Sequence, residues 1–200
     1  VANAQLYKRV EQQAKQLELI NQIGRTISAT LDPQEVPALI MQALQDALNV
    51  EDGALLIEDH LSGDLLVRFS LQPKAGLRLP RDVGFAGEAL RLRSVVIANN
   101  VQQDPRLYAP LDRAGPVLTH SVLCAPVAGR QQLRGVLQLR NKRGGPFTAA
   151  DAQVLEAVAE QAAVALENAE LYSHTDSALT AHIADLEQRN HQLTNIVAIS

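Results

Sequence analysis

One stretch of this chain concentrates the side chains able to direct a ligand. Between Asn99 and Gly115 stand Asn99, Asn100, Asp104, Arg106 and Tyr108, in a loop bent by Pro105 and Pro110. Amides, a carboxylate, a guanidinium and a phenol above aliphatic strands are the ingredients of a small-molecule pocket, which needs apolar walls and few directing groups. Arg106 offers a planar fork to an anionic group, and no Lys in the stretch competes with it. The same residues also suit a plain loop clasp, with Asp104 capping the turn that follows.

Patterns for catalysis are not evident. His60, His120, His174, His182 and His191 are scattered, and no Ser or Cys stands in a nucleophile elbow. No carboxylate pair is set out as an acid–base couple. The chain is therefore not expected to be an enzyme, although a larger parent protein could contain a kinase or another output enzyme. Cys124 is the single cysteine, which excludes an internal disulfide and a cysteine-based zinc site and fits a reducing, cytoplasmic setting. Flanked by Leu123 and Ala125, it reads as a packing residue. No metal site is expected.

These groups need a scaffold. Hydrophobic residues make up 46% of the 200 residues but aromatics only 3%, so the core must be aliphatic. The net charge is −4 and no Lys/Arg block is long enough to follow a phosphate backbone, which argues against nucleic acid as a partner. No apolar run approaches the length of a membrane span, so no direct membrane contact is expected of this segment. Asp32-Pro33 predicts the start of a helix over 34–48, with Val36, Leu39, Ile40, Leu44 and Ala47 on one face. Asn49–Gly53 reads as a turn, 54–58 and 65–71 as strands about a Ser62-Gly63-Asp64 hairpin turn. A short helix entered through Gly84 and a strand over 94–97 precede the polar loop. Strands follow over 121–127 and 133–140, and Gly135 suggests a helix crossing closely. Thr148 and Asp151 form a capping-box pattern for a long final helix.

The two ends repeat each other. Asn3-Ala4-Gln5-Leu6-Tyr7 returns as Asn168-Ala169-Glu170-Leu171-Tyr172, and Gln16-Leu17, Ile20 and Ile23 return as Gln192-Leu193, Ile196 and Ile199. A module cut from a tandem array would look like this. Leu6, Val10 and Leu17, and later Leu179, Ile183 and Leu186, follow a four-three alternation that predicts coiled-coil seams and a parallel homodimer. The later part of the first helix is expected to pack on its own domain.

Six phrases then point one way: Leu31-Asp32-Pro33; Gly84-Phe85-Ala86-Gly87-Glu88-Ala89; Ile97-Ala98-Asn99-Asn100-Val101 with Asp104-Pro105-Arg106; His120-Ser121-Val122-Leu123-Cys124-Ala125-Pro126-Val127; Gly135-Val136-Leu137-Gln138-Leu139; and Phe147-Thr148-Ala149-Ala150-Asp151. In this order, residues 31–172 resemble a GAF domain. The resemblance implies an α+β fold: an antiparallel sheet of about six strands, the N- and C-terminal helices on one face, and the irregular middle over the other. Residues 1–30 would then be an N-terminal signalling helix and 173–200 a linker helix to a next module. Family members hold small ligands on the irregular face and sit upstream of histidine kinases, cyclic-nucleotide enzymes and transcription activators. Ligand candidates are accordingly Asn99, Asp104, Arg106, Tyr108 and His120, with Phe85, Val96 and Leu123 as walls.

Particular ligands are less favoured. Asn141-Lys142, Phe147 and Asp151 follow the signature of cyclic-nucleotide-binding members, but Ala152 stands where those carry Glu, and a structural clasp explains the rest. Cys124 lacks the His pairing of a bilin site, and His120 alone does not make a haem site. No cofactor is expected beyond an unidentified small ligand. His191-Gln192-Leu193-Thr194-Asn195 faintly resembles a histidine-kinase phosphoacceptor box without its acidic residue. The reading is a non-catalytic sensory module of a two-component or related signal-transduction protein, which passes a conformational signal through its helices to adjacent GAF or output domains. The alternatives are a ligand-free spacer and dimerisation unit, or a final helix that begins a kinase phosphoacceptor domain.

Overall fold

The computed structural model describes residues 34–59, 61–72, 74–113, 118–129 and 133–168, together with 10, 14, 17, 18, 20–25, 32 and 171. Leu6, Leu179, Ile183, Leu186 and His191 lie outside the described residues, as do Pro33 and the turn expected at 130–132.

Six strands form one antiparallel sheet in the order β3-β2-β1-β6-β5-β4. They are β1 (Val50–Glu58), β2 (Leu65–Ser70), β3 (Arg78–Leu79), β4 (Val96–Ala98), β5 (Val122–Ala128) and β6 (Leu133–Lys142). The helices are α1 (20–25), α2 (Val36–Leu48), α3 (Gly84–Leu92), α4 (Ala109–Asp112) and α5 (149–168), with a 3-10 turn at Val101–Gln103.

The two-residue period of the strands sorts side chains into two cores. Leu55 of β1, Leu123, Ala125 and Val127 of β5, and Leu137 and Leu139 of β6 pack with Ile40, Met41 and Leu44 of α2 and Leu155, Val158 and Ala162 of α5. The two long helices thus share one face, as expected. Ile23 of α1 joins them, only 4% exposed, so this part of the first helix does lie on the domain. On the other face Leu56, Val67, Val96, Val122, Cys124 and Val136 meet Phe85, Ala86 and Ala89 of α3 and Leu111 of α4.

Local chemistry explains the boundaries. Pro37 occupies the first turn of α2, where its missing N–H costs nothing. The helix stops at Asn49, whose φ of 50° is left-handed. At the head of α5, Thr148 Oγ1 accepts from the Asp151 N–H at 3.3 Å, and Asp151 Oδ2 accepts from the Thr148 N–H at 2.7 Å. This is the reciprocal capping box that the sequence predicts.

Two expectations are corrected. Residues 50–53 are not a turn: the reversal is confined to Asn49, and β1 already runs at Val50, with Asp52 paired to Arg140. Gly135 makes room for the neighbouring strand, not a helix. A Cβ built there would sit 1.9 Å from the Leu56 carbonyl oxygen, so only glycine fits.

Candidate functional site

The face under α3 and α4 is built in three cross-strand rows. Val67, Leu56, Val136 and Pro126 form an apolar row. Ser70, Ala54, Gln138, Cys124 and Val96 form the middle row, across five strands. Asp52, Arg140, Val122 and Ala98 form the third. A face that is otherwise mostly apolar, with Ser70 at one edge, therefore carries a charged pair and an amide at its centre, and none of the three is conspicuous in the sequence.

These groups are buried and tied to what lies above them. Asp52 is 1% exposed and Arg140 2%. Asp52 Oδ2 accepts from Arg140 Nε at 2.8 Å and Nη2, and from Lys74 Nζ at 2.5 Å, while Oδ1 accepts from the Gly53 N–H at 2.8 Å. Arg140 Nη1 donates upward, to the Asp112 carbonyl at 2.8 Å and to Thr119 Oγ1 at 2.7 Å. Gln138 Nε2 donates to Asp112 Oδ1 at 2.9 Å, and Asp112 Oδ2 accepts from the Tyr108 N–H at 2.8 Å. The sheet floor and α4 are thus one hydrogen-bonded unit.

Burial sets the electrostatics. It pushes the Asp52 carboxyl up, with Arg140 and the Gly53 N–H pulling the other way, and it lowers Arg140 against the attraction of Asp52. Asp112 is also raised by burial, opposed only by neutral donors, the Tyr108 N–H and the Gln138 amide. Cys124 is pushed well up by complete burial and by the Asp112 carboxylate, with Arg106 opposing. A thiol held neutral in a core is inert as a nucleophile or attachment point.

The residues expected to contact a ligand divide. Phe85 and Val96 do line this face. Leu123 does not: it points into the helix-side core, and its neighbours Val122 and Cys124 take the wall positions, since adjacent strand residues face opposite ways. Arg106 sits with its guanidinium carbon 5.0 Å from the Phe85 ring centre. Its fork, however, already holds Asp104, with Nε at 3.0 Å and Nη2 at 2.7 Å. Asp104 also accepts the Arg106 N–H at 2.9 Å, and this pairing holds its carboxyl below, and Arg106 above, their ordinary values. Tyr108 is half-buried against the same core.

Asn99 and His120 are placed elsewhere. The Asn99 amide forms a two-way clasp with Phe147, donating to its carbonyl at 3.0 Å and accepting its N–H at 2.8 Å. The His120 side chain is exposed, and its backbone N–H donates to Asn141 Oδ1 at 2.7 Å. Asn141 Nδ2 donates to the Leu118 carbonyl at 2.8 Å, and Lys142 Nζ holds both oxygens of Asp151, at 2.8 and 2.7 Å. Asn141, Lys142 and Asp151 therefore join chain segments. Among the described residues no cluster of three metal-ligating side chains occurs, and no helix is long and apolar enough to cross a membrane.

A GAF domain model matches residues 30–167. The chain belongs to the GAF domain family. Its GAF fold is similar to that of the GAF domain of a phosphoenolpyruvate-protein phosphotransferase (ptsP) from Coxiella burnetii, with TM-score 0.71 at 18% identity, over 80% of this chain and 96% of that one. It is also similar to free methionine-R-sulfoxide reductase from Neisseria meningitidis, with TM-score 0.69 at 21% identity, over 80% and 92% of the two chains. That second protein is an enzyme, so the GAF scaffold itself does not preclude catalysis. In sequence, 129 residues are 28% identical to a probable 3',5'-cyclic phosphodiesterase, pde-5, of Caenorhabditis elegans, over 64% of this chain and 18% of that protein. The chain thus spans less than a fifth of the length of the curated relatives it matches.

Proposed function

We propose that this GAF domain is a non-catalytic sensory module of a larger signalling protein. A small molecule binds between the sheet and the segment 99–113, and the domain passes its state to neighbouring modules through its terminal helices. The observation that carries this reading is the hydrogen-bonded unit of Asp52, Arg140, Gln138, Asp112 and Thr119. It couples the floor of the face to α4, so a ligand inserted there must rearrange α4 or stabilise its present position. Packed interfaces have discrete arrangements, which makes such a lid a workable switch. The repeated phrases around Tyr7 and Tyr172 support a tandem-GAF parent, with a histidine kinase as one output. Val10 and Leu17, N-terminal to α1, are 57% and 61% exposed, which supports pairing of two parallel copies through this part of the chain; we place the module in the cytoplasm.

The phosphodiesterase likeness raises cyclic nucleotides as ligands. The engagement of Asn141, Lys142 and Asp151 with chain segments, and Ala152 in place of Glu, favour a structural role for that signature. Native mass spectrometry of the purified chain, followed by a thermal-shift screen, tests the sensory reading, since a ligand that binds only the native state raises the melting point. A retained or stabilising small molecule supports it. Its absence across a broad screen, with an intact dimer by light scattering, establishes the spacer reading, which the closed Asp104–Arg106 pair favours.

A further inference from the structure

Beside α3, three arginines line one cleft of about 320 Å³. Arg81 lies in the loop that enters the helix, Arg91 in its last turn, and Arg93 at the residue that ends it. Asp82, Gly87 and Leu90 complete the lining. None of Asp52, Asp112, Gln138 and Arg140 belongs to it, so the cleft is separate from the face under α3 and α4. Gly87 is what brings its two sides together. A Cβ there would sit 2.5 Å from the Asp82 carbonyl carbon and 2.8 Å from the Arg81 carbonyl oxygen, so the entry loop can lie along the helix only over a glycine. Arg91 follows one turn later on the same side. Arg93, with a left-handed φ of 52°, donates its N–H to the Ala89 carbonyl and turns the chain back at the helix end.

Two carboxylates outside the lining hold two of these arginines and leave donors free. Glu88 accepts from Arg91 Nε at 3.0 Å and Nη2 at 2.8 Å, and Glu58 Oε1 stands 3.2 Å from Arg81 Nε. Arg91 Nη1 and both Nη groups of Arg81 have no partner among the described residues, and neither has the Arg93 guanidinium. A cation at the C-terminal end of a helix is favourable in itself, which accounts for Arg91 and Arg93 singly. It does not account for Arg81, which the entry loop brings alongside them against like-charge repulsion. Asp82 is the one carboxylate in the lining, and Leu90, 4% exposed, is its apolar wall.

We propose that this cleft binds a small hydroxylated phosphomonoester, of the sugar-phosphate type. Guanidinium forks match phosphoryl oxygens, and a tetrahedral group with three terminal oxygens can accept from three arginines at once, which a carboxylate cannot. The hydroxyls donate to Asp82, and the carbon skeleton lies against Leu90. The volume stands at the low end of small-molecule sites, about 300–1,000 Å³, and suits a phosphoryl group with a few carbons. A net charge of −4 on the whole chain disfavours an extended polyanion as the occupant. Phe85, Ala86 and Ala89 of the same helix cover the sheet face, so occupancy of the cleft steadies α3 where it packs there.

The test uses the 200-residue chain with glycerol 3-phosphate, inorganic phosphate and glutarate, at constant ionic strength because salt screens exposed charges. Two-dimensional NMR follows the arginine Nε–H signals, assigned by their loss in Arg81→Gln, Arg91→Gln and Arg93→Asn; asparagine tolerates the left-handed backbone at 93. Arg68, exposed on β2 and outside the cleft, is the control. Glycerol 3-phosphate should shift the signals of Arg81, Arg91 and Arg93 along one saturating curve and leave Arg68 unmoved. Arg81→Gln and Arg93→Asn should each weaken binding about fivefold or more, and Arg68→Gln should not change it. The ester should bind more tightly than inorganic phosphate, and Asp82→Asn should erase that advantage. Should a variant fail to fold, the site-resolved shifts and the order of the three probes on the unaltered chain decide. No saturable shift at the three arginines, an equal shift at Arg68, or unchanged affinity in the variants overturns the proposal. Inorganic phosphate binding as tightly as the ester to the unaltered chain also overturns it. So does glutarate binding as tightly, which would assign the cleft to the carboxylates of an acidic protein segment.

Discussion

Replacing Asp52 by Asn isolates the buried charge cluster with almost no change in volume. In the native protein one carboxylate faces two cations, Arg140 and Lys74, whose side chains are 3% and 1% exposed. The amide keeps a hydrogen-bond acceptor but leaves both cations without an anion. Removing one partner of a buried pair costs about 3–5 kcal/mol, because the remaining charge cannot reach water. For a domain the size of residues 30–167, an unfolding entropy of about 2.1 cal/mol/K per residue gives roughly 0.3 kcal/mol per K, so the melting point should fall by about 10–17 °C. Calorimetry gives the melting point and urea titration the free energy. The first amides to lose exchange protection should lie in 108–113 and at Thr119, which Arg140 holds from below. A triple variant, Asp52→Leu with Lys74→Met and Arg140→Met, should recover most of the loss, since apolar replacement of a buried ion group is often neutral or stabilising. A loss below about 1 kcal/mol for Asp52→Asn would mean that the cations reach solvent, and the reasoning would fail.

Gly135→Ala should prevent folding or disrupt the β1–β6 ladder, because its Cβ would meet the Leu56 backbone at 1.9 Å; a cooperative melt within a few degrees of the parent refutes it. Asn99→Ala removes both hydrogen bonds to Phe147 and should cost about 1–2 kcal/mol by urea titration. Arg106→Ala should cost under about 1 kcal/mol after solvent screening, since its side chain is 38% exposed and its partner is local; a larger loss would make it a true clasp of the lid. Lys142→Met carries a pH signature. Burial raises the Asp151 carboxyl, but Lys142 and Thr148 together outweigh it and hold it below the usual range. A depressed carboxyl stabilises the fold above its unfolded pKa of about 3.9 and loses that contribution as pH falls through the folded value. The destabilisation by Lys142→Met should therefore be full at pH 7 and shrink below about pH 4, as paired urea titrations would show.

Periodicity and punctuation made the scaffold legible. The apolar spacing of α2 and α5, the Ser62-Gly63-Asp64 reversal and the Thr148–Asp151 capping box are local signals, and local physics decides them. The sheet faces were harder. Leu123 and Cys124 are neighbours in sequence, and which one faces the ligand side depends on the register of β5 against β6, which a single strand does not reveal.

The charged row was missed for a more specific reason. Val50-Glu51-Asp52-Gly53 is rich in turn-forming residues, and read alone it is a turn. It is a strand because β6 supplies partners for three of its four members: Lys142 opposite Val50, Arg140 opposite Asp52, Leu139 opposite Gly53. Asp52 tolerates burial only because Arg140 and Lys74 converge on it from positions 88 and 22 residues away. The polar loop 99–115 attracted attention because its side chains are numerous and adjacent in sequence. Asn99 ties the loop to Phe147, and Asp104 is taken up by Arg106 within the same turn. Among the described residues, the buried side-chain atoms without a partner, Gln138 Oε1 and Ser70 Oγ, lie instead in strands that read as ordinary alternation. Which polar groups are satisfied appears only when every buried polar atom on the face is accounted for, because their partners stand on other strands and on α4.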